Sequence, residues 1–83
     1  MLVKTRGVVL NNIKYRESSI ITKIYTEALG VQSYVVNGVR KKGNGSRIAL
    51  FQPFTLLDMV VYHSHRGGLS RISEYRTAYS FVS

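Results

Sequence analysis

Residues 19–37 read SIITKIYTEALGVQSYVVN, and this stretch decides the fold class. Ser19 to Thr26 is β-branched almost throughout. Such side chains are stiff at χ1 and suit a pleated strand better than a helix. Val31 to Asn37 alternates Val31, Ser33 and Val35 against Gln32, Tyr34 and Val36, the period of two expected of a strand. Glu27-Ala28-Leu29-Gly30 separates the two runs and ends on glycine, so the pair reads as a hairpin. Upstream, Val3 to Asn11 (VKTRGVVLN) is rich in Val and Thr, which adds a strand and completes a three-strand meander. Downstream, Gly38 to Arg47 (GVRKKGNGSR) follows neither period and is expected to be a mobile loop. Ile48 to Phe54 (IALFQPF) is expected to form a short helical turn stopped by Pro53, because the residue before a proline avoids the helical region. Thr55 to His63 (TLLDMVVYH) is the longest apolar strand candidate, with a turn at His65-Arg66-Gly67-Gly68 and a last strand from Leu69 to Thr77 (LSRISEYRT).

Five strands ordered as a meander, a long break and a hairpin predict an all-β domain with the five-stranded OB-fold, a small Greek-key barrel. An SH3-like barrel is the alternative, but it has a shorter first sheet and places its long loop earlier. Several strands are apolar on both faces: Ile20 and Ile24 against Ile21 and Tyr25, and Leu56, Val60 and Tyr62 against Leu57, Met59 and Val61. A sheet with one solvated face alternates cleanly, so the second apolar face calls for a covering element or a docking partner. The end, Tyr79 to Ser83 (YSFVS), is still apolar. The expectation is that residues 1–83 form one domain, the N-terminal piece of a longer protein.

The chain's 83 residues allow one domain. Cys is absent, which suits a reducing cytoplasm and excludes disulfides, zinc ribbons and Cys nucleophiles. No apolar run approaches the roughly 20 residues of a membrane helix, and Met1 to Arg6 lacks the apolar core of a signal peptide, so a cytoplasmic location without a membrane is expected. Lys and Arg number 12 against 4 acids, a net +8. In a foldable chain with 45% hydrophobic residues, that imbalance points to a polyanion as partner.

The cations gather in one segment. Arg40, Lys41, Lys42 and Arg47 sit among Gly38, Gly43, Asn44 and Gly45, where a pliant backbone can follow phosphates closely. Lys4, Arg6, Lys14, Arg16 and Lys23 add charge in the first two strands and the turn between them, beside the groove that an OB-fold uses for oligonucleotides. Single-strand binders pair such charge with rings on which bases stack. Tyr15, Tyr25, Tyr34, Tyr62 and Tyr75 are candidates, and Tyr15, between Lys14 and Arg16 in the predicted turn, is the strongest.

Catalytic chemistry finds no footing. The spacing of Gly38 to Gly43 opens like a Walker loop, but Asn44-Gly45 stands where Lys-Ser/Thr is required. His63 and His65 would supply only two metal ligands, and Glu17, Glu27, Asp58 and Glu74 are scattered, whereas zinc takes three or four. No Ser-His-Asp set or carboxylate pair can be assembled. A noncatalytic domain with neither metal nor cofactor is expected.

The ordered series Lys4 to Leu10 (KTRGVVL), Tyr15 to Ser18 (YRES), Tyr25 to Gly30 (YTEALG), Val39-Arg40 and Leu50 to Phe54 (LFQPF) resembles the N-terminal domain of the RecO recombination mediators over nearly the whole chain. The resemblance implies an OB-fold that binds single- and double-stranded DNA without catalysis, in a family whose members carry a further helical region. It also implies that the full-length protein works with RecR, helps RecA load onto strands covered by the single-strand-binding protein, and anneals complementary strands. By position it makes Arg6, Lys14, Arg16, Arg40, Lys41 and Lys42 DNA-facing; Tyr15 and Arg47 complete the candidate set from the residues alone. An RNA-binding OB domain of the translation apparatus and a protein-docking module fit the same composition and charge.

Overall fold

Leu2–Tyr15 is one strand of 14 residues, β1, and it is shared between two halves of a barrel. Its first half pairs antiparallel with Leu56–Tyr62 (β4), from Leu2 opposite Tyr62 to Val8 opposite Leu56. Its second half pairs with Ser19–Thr26 (β2), ending with Tyr15 opposite Ser19. The register slips between Val9 and Asn11, leaving Leu10 as the extra residue that bends the strand from one partner to the other. β2 continues into Gly30–Val36 (β3), and Ser70–Thr77 (β5) pairs antiparallel with β4 and parallel with β3, closing the barrel in the order β1-β2-β3-β5-β4. This is the five-stranded OB-type topology. The computed structural model describes residues 1–40, 45–64 and 67–78.

The first strand runs four residues past its expected end at Asn11. Asn11 and Asn12 pair with Lys23 and Thr22 of β2, and both are held from further along the chain: the Thr22 hydroxyl donates to the Asn11 carbonyl (2.9 Å), and Asn12 Nδ2 donates to the Phe51 carbonyl (2.6 Å). Tyr15 therefore ends a strand rather than sitting in a turn. A second correction concerns residues 38–47. Gly45–Ile48 forms a single helical turn, α1, continued by a 3₁₀ turn at Ala49–Phe51, so Arg47 lies on a helical turn and not in a loop. Helical backbone begins three residues before the predicted start at Ile48, because Ile48, Leu50 and the buried Phe51 pack against the barrel's interior. Gln52 is already extended, as the residue before Pro53 should be.

The interior is filled by Val9, Ile20, Ile24, Tyr34, Val36, Leu57, Met59 and Val61 from the strands, with Val39 and Phe51 entering from the β3–β4 connection. Gly7 is the position where β1 passes closest to that core. A Cβ there would lie 2.5 Å from Ile24 Cγ2 and 2.9 Å from Met59 Cε. The β2–β3 hairpin is locked by Thr26, whose hydroxyl donates to the Gly30 carbonyl (2.7 Å) and accepts from the Leu29 amide (2.9 Å); Gly30 itself has φ of 73°, a left-handed conformation that glycine adopts without strain.

The second apolar face is present on the outside of the barrel. One row runs from Ile13 through Ile21 to Val35, and another from Leu56 through Val8 and Tyr25 to Val31. Ile13, Tyr25 and Val31 are exposed. Among the described residues no helix is long and apolar enough to cross a membrane.

Candidate nucleic-acid interface

The β1–β2 turn projects cations because of how it is closed. Arg16 has φ of 57°, a left-handed conformation rare for a residue with a Cβ, and its guanidinium lies 5.0 Å from the Tyr15 ring centroid. Such a contact contributes about 0.5–1 kcal/mol at an exposed site. It gives the half-buried Tyr15 ring a local structural partner. The chain leaving β3 folds back onto this turn. The Arg40 amide donates to the Ser18 carbonyl (3.0 Å), the Arg40 Nη1 donates to the Arg16 carbonyl (3.1 Å), and the Ser19 hydroxyl donates to Asn37 Oδ1 (2.9 Å). Sequence positions 24 residues apart are thereby joined, and Lys14, Tyr15, Arg16 and Arg40 share one end of the barrel. Arg16, Glu17, Ser18, Asn37 and Gly38 line a shallow depression there, so one carboxylate stands among these cations.

Arg6 stands apart from this group. It lies on the other half of β1, where its Nε is 3.0 Å from Asp58 Oδ1, and Arg76 reaches the second oxygen of the same carboxylate at 4.0 Å. Asp58 and Glu74 both belong to this β4–β5 surface, so the cations there have acids beside them. Lys41 and Lys42 lie outside the described residues, as does His65 of the histidine pair. No group of three or more potential metal ligands occurs among the described residues.

Sequence reasoning passed over two residues beside this candidate surface, Asn37 and Arg71. Arg71, near the start of β5, sits opposite Val35 of β3, and its guanidinium lies 5.3 Å from the ring centroid of Tyr62. Asn37, Arg47, Tyr62 and Arg71 line a second depression, and Asn37 belongs to both. The alternation in LSRISEYRT puts Arg71 on the outer face of its strand. Pairing of β5 with β4 brings it to Tyr62, and closure of β5 onto β3 brings it to Val35.

The chain's sequence matches the family described as Recombination protein O N terminal over residues 1–81. The chain belongs to the RecO N-terminal family. Among curated relatives, it is similar to the DNA repair protein RecO of Flavobacterium psychrophilum, 38% identical over 84 residues, covering 100% of this chain and 35% of that protein. The DNA repair protein RecO of Bacteroides fragilis is 36% identical, with 100% of this chain and 34% of that protein covered. For Pelodictyon phaeoclathratiforme the figures are 43% identity over 75% of this chain and 23% of that DNA repair protein RecO. This RecO N-terminal domain thus spans about a third of the length of the relatives it matches.

Proposed function

We propose that this domain is the noncatalytic DNA-binding module of a RecO recombination mediator acting in DNA repair. The observation that carries the reading is the lacing of Arg40 onto the Arg16 turn, which concentrates Lys14, Arg16 and Arg40 at one end of the barrel. Cations that neutralise phosphates release condensed counterions, and that term supplies most sequence-independent affinity. Arg47 extends the same track, with Tyr15 beside it as a ring for an unpaired base, and Lys41 and Lys42, which follow Arg40 in the chain, add two further charges. Arg6, held by Asp58, is the outlying member of the set and contributes least.

In this reading the full-length protein uses the domain in the cytoplasm to hold single- and double-stranded DNA while it cooperates with RecR, assists RecA loading on strands covered by the single-strand-binding protein, and anneals complementary strands. A protein-docking role has its own support on another surface. Phe54, 83% exposed, follows Pro53, and a depression lined by Val8, Tyr25 and Leu56 is flanked by Arg6 and Glu27. The test is a titration of labelled single-stranded DNA, duplex and RNA of matching sequence at low and physiological salt. DNA binding that weakens with salt supports the reading; a preference for RNA dependent on the 2′-hydroxyl would move it to the translation apparatus.

A further inference from the structure

The cleft between β3 and β5 has the ingredients of a nucleotide seat. The two strands pair at only two positions, Tyr34 with Ser70 and Val35 with Arg71, so they diverge beyond Val35 and leave an opening beside α1. Its walls are Asn37, Arg47, Tyr62 and Arg71, and its floor includes Ile72 and Tyr75. Tyr75 is fixed there by an edge-on contact with the buried Phe51, centroids 4.9 Å apart. No carboxylate lines the cleft among the described residues, and neither Arg47 nor Arg71 belongs to an ion pair among them. Arg6 and Arg76 on the neighbouring face share Asp58 instead.

Tyr62 closes β4 and is 43% exposed, with the Arg71 guanidinium carbon over its ring, 5.3 Å from the centroid. A partly exposed ring and a guanidinium lying over it present two planar groups on which a base can stack. The second guanidinium, from Arg47, comes from a different element and reaches the same cleft. Because Asn37 lines both this cleft and the depression at Arg16, a chain of phosphates leaving the Arg16–Arg40 end passes one carboxylate, Glu17 in that depression, and then enters a cleft that no carboxylate lines among the described residues. We propose that this cleft seats one unpaired nucleotide, its base on the Tyr62–Arg71 pair and its flanking phosphates on Arg47 and Arg71. The proposal rests on the DNA-binding reading and adds to it the origin of strand selectivity: a base already stacked in a duplex cannot occupy the pair, whereas the cations at the Arg16 end accept phosphates from either form.

The experiment compares binding of the 83-residue chain to oligothymidylate, to an abasic strand of equal length and to a hairpin duplex. The wild type is expected to prefer oligothymidylate over the abasic strand by about tenfold, a stacking contribution of ordinary size. Tyr62→Leu should abolish that preference while leaving duplex binding and the salt slope unchanged. Arg71→Ala should make the slope for single strands shallower by about 0.7, the share of one phosphate. Since the chain has no Trp, Tyr62→Trp places a single reporter in the cleft; its fluorescence should be quenched by oligothymidylate and not by the duplex. An undiminished base-over-abasic preference in Tyr62→Leu, or an unquenched Trp at saturating oligothymidylate, would overturn the seat. Failure of the wild type to bind any strand would instead overturn the DNA-binding reading beneath it.

Discussion

The Arg40 guanidinium donates to the main-chain carbonyl of Arg16 across 3.1 Å. The contact leaves the Arg16 side chain over Tyr15 and spends only one of Arg40's five donors, so the two cations are brought together without either charge being neutralised. Arg6 shows the opposite use of the same residue type. Its guanidinium is engaged by Asp58 at 3.0 Å, and the surface around it is balanced by acids.

That contrast predicts unequal effects of removing charge. Arg40→Ala should weaken single-stranded DNA binding several-fold and make the dependence of log K on log salt shallower by about 0.7. Arg6→Ala should change both much less. Stability should be little affected by Arg6→Ala, since exposed ion pairs contribute about 0–1 kcal/mol. Parallel salt titrations of the two variants check this.

Gly7→Ala should destabilise the barrel by about 1–3 kcal/mol, the usual cost of overpacking. The new methyl would meet Ile24 and Met59 at distances that real Cβ atoms do not tolerate. In a domain of this size each kcal/mol lowers the melting temperature by about 4–8 °C, which a thermal melt followed by circular dichroism would resolve.

Thr26→Val keeps the β-branched shape but removes a buried hydroxyl that serves both Gly30 and Leu29. The Leu29 amide then lacks its acceptor, and the expected loss is about 1–3 kcal/mol. Hydrogen exchange should show the Leu29 amide among those that lose protection.

Tyr34 carries the one buried side-chain polar atom without a hydrogen-bond partner among the described residues. Burial raises its pKa above the ordinary 10.0. The unfolded chain therefore releases this proton first as pH rises, so the contribution is constant below pH 10.0 and is lost as pH climbs from there through the higher folded-state value. Tyr34→Phe should be neutral or stabilising at pH 7, because no hydrogen bond is broken, and should unfold less readily than the wild type in alkali. Urea midpoints at both pH values test the sign.

Much of the barrel was legible in the sequence because strand identity is local. β2 has the bounds that its β-branched run implies, and β3 and β4 differ by a residue at each end. What was not legible depends on partners far along the chain. Asn11 and Asn12 extend β1 because Thr22 and Phe51 satisfy them, and no local pattern announces either partner. The helical turn at Gly45–Ile48 forms in a Gly-rich stretch because the residues after it are buried. The same holds for the cationic end. Lys14 and Arg16 are read directly, but the approach of Arg40 requires the return of the β3 exit to Ser18. The Tyr62–Arg71 pair follows from the β4–β5 register that sets Val61 opposite Ile72, and its place beside Asn37 and Arg47 requires closure of β5 against β3.

The central claim is that a cationic end of this barrel holds single-stranded DNA through its phosphates, and fluorescence anisotropy with a labelled single strand over a series of salt concentrations tests it most directly. With Lys14, Arg16, Arg40 and Arg47 each neutralising a phosphate, log K should fall against log salt with a slope of about −3 or steeper. A binding constant indifferent to salt, or no binding at low salt, would contradict the account.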